Sequence, residues 1–251
     1  MLDFYGTIAL TTATIVTFNV LLYALPVARL ARLGLATAIG AFIGLSIALS
    51  ASGAYANDPR AFPLIGVMLA APLAATVLAA LTSPAARSAM LAVPMPLLVG
   101  LNVSRVIGGF FLLLAVDGRL GGPFPQFAGW GDVVTGALAL PVAARGSAGR
   151  RWLVGAWNTF GTLDLIVAVT LGVVSANGAP LQLIHAGAGS AAVQSLPWSS
   201  IPTVLVPAFL IMHGVIFAQL RRAAAGSRDS ETRPARTLEG APGSGPYEPA
   251  S

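Results

Sequence analysis

The segment Pro96–Val116, PLLVGLNVSRVIGGFFLLLAV, contains a single charged side chain, Arg105. An α-helix needs about 20 mostly apolar residues to cross the hydrocarbon core of a bilayer. A peptide backbone in lipid has to satisfy its own hydrogen bonds, and a helix does so within one segment. This segment therefore predicts a transmembrane helix with a charge near its middle.

Similar apolar runs recur along the chain. The seven predicted spans are Phe4–Val27, Leu33–Ser50, Phe62–Thr82, Pro96–Val116, Phe127–Ala144, Trp152–Ala176 and Ile201–Leu220. Hydrophobic residues make up 56% of the 251 positions, charged residues make up 9%, and the mean hydropathy is +0.80. Soluble domains carry about 25% charged residues. We therefore predict an all-α, polytopic transmembrane bundle of seven helices over residues 1–220.

The arginines predict the orientation of this bundle. Alternate connections hold nine of them: Arg29, Arg32, Arg87, Arg145, Arg150, Arg151, Arg221, Arg222 and Arg228. The other connections hold two, Arg60 and Arg119. Since connections rich in Arg stay in the cytoplasm, the amino terminus is predicted outside and the carboxyl terminus inside, in a bacterial inner membrane. Residues 221–251 are rich in Ser, Gly, Pro and charged residues, and predict a disordered cytoplasmic tail.

Four ionisable side chains lie inside the predicted spans, all in the last four: Arg105, Asp132, Asp164 and His213. A charge at mid-bilayer costs roughly 2.5–3.5 kcal/mol, so four would cost on the order of 10 kcal/mol unless they face one another or water. With the predicted orientation, the four lie at similar depths. We therefore expect them to form an intramembrane polar cluster.

Neighbouring residues support this cluster. Asn102 precedes Arg105 by three residues, which places both on one helix face. In the sixth span, Trp157, Gly161 and Asp164 share one face, with Asn158 beside them. The predicted site therefore consists of the four ionisable residues, supported by Asn102, Trp157, Asn158 and Gly161.

Several membrane chemistries can be compared with these residues. The chain has no lysine for a retinal Schiff base, no cysteine, and one histidine within a span, so no metal site is predicted. Gly129-Trp130-Gly131-Asp132 resembles the GxGD motif of intramembrane aspartyl proteases, a resemblance that implies two aspartates sharing a proton and activating water. That family places its other aspartate in a Tyr-Asp pair on the preceding helix. Here the second candidate, Asp164, follows in the next helix.

Three classes of function remain open. The first is a carrier or binding protein for a small solute or protons, in which Asp132 is the outer gate, Arg105 and Asp164 exchange with substrate, and His213 relays protons. The second is an intramembrane enzyme using Asp132 and Asp164 as acid and base. The third is a non-catalytic structural or assembly subunit. An Arg between the two carboxylates would favour the carrier or the structural subunit. A separation of the two carboxylates that one water can bridge would favour the enzyme.

The expected partners are the lipid bilayer and a small solute or protons, with no nucleic acid. Cofactor and oligomeric state stay open.

Overall fold

The computed structural model describes residues 1–56, 63–147 and 149–232. Over these residues the chain is helical and contains no strand. The elements are α1 (Leu2–Ala24), α2 (Arg29–Ala51), α3 (Leu64–Thr82), α4 (Pro84–Ala92), α5 (Met95–Leu101), a 3-10 segment (Asn102–Gly108), α6 (Gly109–Val116), α7 (Phe124–Ser147), α8 (Arg151–Val174), a 3-10 turn (Ala191–Gln194), a π-helical turn (Ile201–Leu205) and α9 (Val206–Thr232). Arg60, Phe62 and the predicted tail from residue 233 onward lie outside the described residues.

Within the described residues, seven helical spans are long and apolar enough to cross a membrane, as the sequence predicted. The fourth span joins α5, the 3-10 segment and α6, and the last joins the π-helical turn and α9. In the most apolar 18-residue stretch of these two spans, 44% and 61% of the residues are buried, whereas the share in the third span is 6%. The core of the bundle therefore lies around the fourth and last spans, with α1, α2 and α3 at its periphery.

Three features differ from the sequence prediction. The fourth span is not one continuous α-helix, because the 3-10 segment interrupts it. A short helix, α4, precedes that span, and it is capped by Ser83, whose side chain accepts a hydrogen bond from the backbone N–H of Ala86. Helix α9 continues to Thr232, twelve residues past the predicted boundary at Leu220. The predicted tail therefore begins with helical residues, and disorder beyond them stays a prediction.

Polar contacts join the elements at the end of the bundle that carries the amino terminus. Asp3 Oδ1 accepts hydrogen bonds from Arg119 Nη1 and from Trp198 Nε1, both at 2.7 Å. Trp198 is fully buried, and its ring lies against Gly6 of α1. These contacts tie α1 to two of the loops at this end.

A second set of hydroxyl contacts ties α2 to the start of the last span. Ser46 Oγ lies 2.7 Å from Thr203 Oγ1, and Ser50 Oγ lies 2.7 Å from Ser199 Oγ. Tyr55 also donates to the Ser46 hydroxyl at 3.2 Å. The pairs satisfy hydroxyl groups that are buried among apolar side chains, which is the requirement for burying a polar group at low cost.

Helix α7 is central to the site. It lies against α5, the 3-10 segment, α6 and α8, while α8 also contacts α9. Four consecutive spans are thereby brought together, and each carries one of the ionisable residues.

Candidate functional site

The centre of the site is the guanidinium of Arg105, which is 1% exposed. Its Nε donates to Asp132 Oδ1 at 2.7 Å, and its Nη2 donates to Asp164 Oδ2. Asp132 comes from α7 and Asp164 from α8. One cation therefore lies between two carboxylates from neighbouring helices.

The remaining guanidinium nitrogen faces the last span. Arg105 Nη1 donates to the backbone carbonyl of Gly161 at 3.1 Å and contacts His213 Nε2 at 3.1 Å. Four of the five N–H donors of Arg105 are thus engaged. The structure brings together all four ionisable residues identified in the sequence.

The hydrogen bonds determine the tautomer of His213. Because arginine can only donate, His213 Nε2 is the acceptor and the ring hydrogen resides on Nδ1. Nδ1 then donates to Asn158 Oδ1 at 2.7 Å, and Asn158 Nδ2 donates to the backbone carbonyl of His213 at 3.1 Å. The imidazole is therefore neutral while it accepts from Arg105.

Aromatic rings enclose this part of the cluster. The indole of Trp157 packs against the His213 ring with a centroid distance of 5.4 Å, and its Nε1 donates to the Thr135 carbonyl at 3.0 Å. The guanidinium carbon of Arg105 lies 5.8 Å from the centroid of the Phe209 ring. Cations are attracted to aromatic faces at such distances, so the Phe209 ring stabilises the buried charge.

Glycines create the space for these side chains, among them Gly108, where an added Cβ would overlap Asp132. A Cβ atom at Gly161 would lie 2.8 Å from His213 Cε1 and 3.0 Å from Arg105 Nη1, and one at Gly131 would overlap the Asp164 carboxylate. Small residues let helix backbones approach closely in membrane proteins. Gly161 was identified from the sequence. Gly131 was quoted there only as part of the GWGD motif, and nothing in the sequence indicated that Asp164 would lie against it.

Asn102, predicted to support the cluster, lies beside it and forms its hydrogen bond within its own helix. It is fully buried on the same face as Arg105, but its Nδ2 donates to the Leu98 carbonyl at 2.9 Å. Among the described residues it makes no hydrogen bond to the four ionisable side chains, and its Oδ1 has no partner. Thr135 Oγ1 is also buried, and it has no hydrogen-bond partner among the described residues.

Each carboxylate reaches a different open space. Asp164 borders a groove of about 630 Å³ between α7 and α8, which the aromatic side chains of Phe127, Trp130 and Phe160 also line. Asp132 borders an apolar cavity of about 290 Å³, whose other walls include Tyr55 and Phe124. The buried guanidinium of Arg105 lies between these two spaces.

The geometry bears on the alternative chemistries. Asp132 and Asp164 each pair with the guanidinium of Arg105, whereas the GxGD resemblance implied two aspartates that share a proton. In the described ranges 1–56, 63–147 and 149–232, no group of three or more His, Asp or Glu side chains is placed to hold a metal ion. Under the criterion set from the sequence, an intervening Arg favours a carrier or a structural pair over an enzyme.

Fold and site together define a helical bundle with seven spans of membrane-crossing length, built around an arginine shared by two aspartates. The model of one protein family, the Domain of unknown function (DUF8737), matches residues 62–221. The chain belongs to this family, and all four ionisable residues lie in the matched segment. No curated protein and no solved structure matches the chain.

Proposed function

We propose that this protein is a multi-pass protein of a bacterial inner membrane that binds or carries a small solute or protons at the Arg105, Asp132, Asp164 and His213 cluster. In this proposal the amino terminus is outside and the carboxyl terminus is cytoplasmic. The peripheral helices expose large apolar side chains such as Ile15, Leu45 and Leu78. This exposure is evidence for a lipid environment around the bundle.

One observation carries the proposal: a single guanidinium is shared by two carboxylates, with a neutral imidazole beside it. With both aspartates ionised, the formal charge of the cluster is +1 − 2 = −1. A net charge in the middle of a bilayer costs about 2.5–3.5 kcal/mol, and binding one proton or one monovalent cation removes it. The cluster therefore has room for one exchangeable positive charge.

The two open spaces suggest how that charge is exchanged. Asp132 borders the apolar cavity and serves as the outer protonatable gate, while the Arg105 and Asp164 pair exchanges with substrate at the groove. His213 can take up a proton on Nε2 only after Arg105 releases that atom. Its role as a proton relay therefore requires Arg105 to move.

The test uses Asp132→Asn, which retains the size of the side chain and removes its charge. Purified protein in vesicles adsorbed to a solid-supported membrane is exposed in turn to small amines, amino acids, organic acids and sugars, with and without a pH gradient. We expect a solute-induced current that depends on the gradient. Asp132→Asn should fold and lose this dependence.

Asp117→Asn is the matched control, because Asp117 is exposed in the loop after α6. It should retain the current and its pH dependence. Three results would overturn the proton-gate assignment. They are a wild-type protein that gives no current with any of these solutes, an Asp132→Asn variant that folds poorly, and an Asp132→Asn variant that folds with unchanged current and pH dependence.

A structural or assembly subunit is the second candidate, and one specific observation favours it. Arg105 is buried and uses four of its five donors within the chain, to groups from three different spans. Buried ionic groups can fix the register of a bundle without any further role. In that case Asp132→Asn should leave every transport measurement unchanged.

A further inference from the structure

The groove between α7 and α8 has an unusual lining for a surface that faces lipid. Phe127, Trp130, Phe160 and Leu163 form its walls, and their side chains are between 46% and 60% exposed. The Asp164 carboxylate is the ionisable group of this lining. Its volume, about 630 Å³, lies within the range of roughly 300–1,000 Å³ typical of small-molecule sites.

The charge around Asp164 selects the ligand. Asp164 pairs with Arg105, which also pairs with Asp132 and contacts the neutral imidazole of His213. With both aspartates ionised, the formal charge of these four groups is −1. An anion at the groove would face this excess of negative charge, and a neutral molecule would leave it uncompensated. A cation would compensate it and would also be attracted to the faces of the aromatic rings.

We infer that this groove is a lateral binding site for lipid-soluble organic monovalent cations, of the aryl- or alkyl-substituted ammonium and phosphonium class. The positive centre pairs with Asp164, and the apolar substituents pack on Trp130, Phe127 and Phe160. The ligand enters from the bilayer, because the groove opens on the outer surface of two apolar helices. This inference rests on the proposed function for its exchangeable charge, and it names the class of substrate.

Binding of such a cation is expected to compete with a proton for the same negative charge. Its affinity should therefore rise as the pH is raised. The aromatic walls should contribute independently of pH.

Tetraphenylphosphonium is the probe, and tetraphenylborate is the control of the same shape and opposite charge. Equilibrium dialysis of the purified full chain in detergent measures both. We expect saturable binding of tetraphenylphosphonium at one site per chain that tightens with pH, and no saturable binding of tetraphenylborate. Equal binding of the two ions would overturn the inference and identify the groove as a surface for acyl chains.

Two pairs of variants locate the site. Asp164→Asn should weaken tetraphenylphosphonium binding by at least about tenfold, because it removes the partly buried carboxylate that pairs with the phosphonium. Asp117→Asn should leave this binding unchanged. Trp130→Ala should weaken binding several-fold. Trp152→Ala should have no effect, because Trp152 is also an exposed tryptophan but lies on α8 outside the groove.

The tryptophan pair keeps the inference testable if Asp164→Asn fails to fold, since both indoles are exposed and neither is hydrogen-bonded to the cluster. Unchanged binding in Trp130→Ala would overturn the inference. Saturable binding without gradient-dependent currents would refute the carrier and leave the binding site standing. Currents with other solutes in a protein that does not bind tetraphenylphosphonium would refute the binding site and leave the carrier standing.

Discussion

Replacing Arg105 by leucine removes the cation that three other spans of the bundle contact. Asp132 and Asp164 each lose their ion-pair partner, and the Gly161 carbonyl and His213 Nε2 each lose a hydrogen-bond donor. Leucine fills most of the aliphatic volume of the side chain, so the variant tests the charge and the hydrogen bonds more than the packing.

The magnitude follows from these contacts. Breaking a buried pair from one side typically costs about 3–5 kcal/mol, because an uncompensated charge is left behind. A buried acceptor without its donor costs about 1–3 kcal/mol more. The aspartates can limit the first cost by binding protons, so the expected loss in the free energy of unfolding is about 3–5 kcal/mol in total.

Unfolding in mixed detergent micelles, followed by tryptophan fluorescence, measures this loss. Arg119→Leu is the matched control, because Arg119 also pairs with an aspartate, Asp3, but both side chains are solvent-accessible. Exposed pairs contribute about 0–1 kcal/mol. Arg105→Lys should fall between the wild type and Arg105→Leu, since lysine keeps the charge and lacks the planar fork of donors.

Two results would refute this reasoning. The first is an Arg105→Leu protein that is destabilised no more than Arg119→Leu. The second concerns the double variant Arg105→Leu with Asp164→Leu: if it is no more stable than Arg105→Leu alone, the two residues are not energetically paired.

Two further predictions concern topology and close packing. A reporter fused after Arg222 should be cytoplasmic and one inserted in residues 177–200 should be external. Reporters on the same side would mean that a span is miscounted or that one of the apolar runs is re-entrant. Gly161→Ala should destabilise the protein by about 1–3 kcal/mol because its Cβ would overlap the buried cluster, as measured by unfolding in micelles. Gly214→Ala, where the added atom meets nothing within 4 Å, should be neutral or slightly stabilising; equal losses in both would contradict the packing argument.

The seven spans and the composition of the cluster could be predicted because both depend on features that sequence displays directly. Apolar length sets the number of spans, and the cost of burying a charge indicates that Arg105, Asp132, Asp164 and His213 should meet. Their similar depths followed from the arginine distribution. The orientation from which those depths were calculated stays a prediction.

Other features depend on contacts between helices, which the sequence does not display. The 3-10 segment contains no proline, and its apolar residues fit an α-helix equally well, so its geometry was not predictable. Asn102 lies on the predicted face, yet its amide turns to the Leu98 carbonyl one turn away. Helix α4 was missed because its nine residues are too short to form a span.

The pitch of the 3-10 segment determines where Arg105 points. With three residues in each turn, Asn102, Arg105 and Gly108 are superimposed along the helix axis, and all three are buried. In α geometry each step of three residues would fall about 60° short of a full turn. The same sequence wound as an α-helix would therefore rotate the guanidinium relative to Gly108, and the fork that now spans two carboxylates would turn away from at least one of them. The winding of the backbone therefore determines the direction of this buried charge. A change of this segment from 3-10 to α geometry would alter which ion pairs Arg105 forms without any residue being replaced.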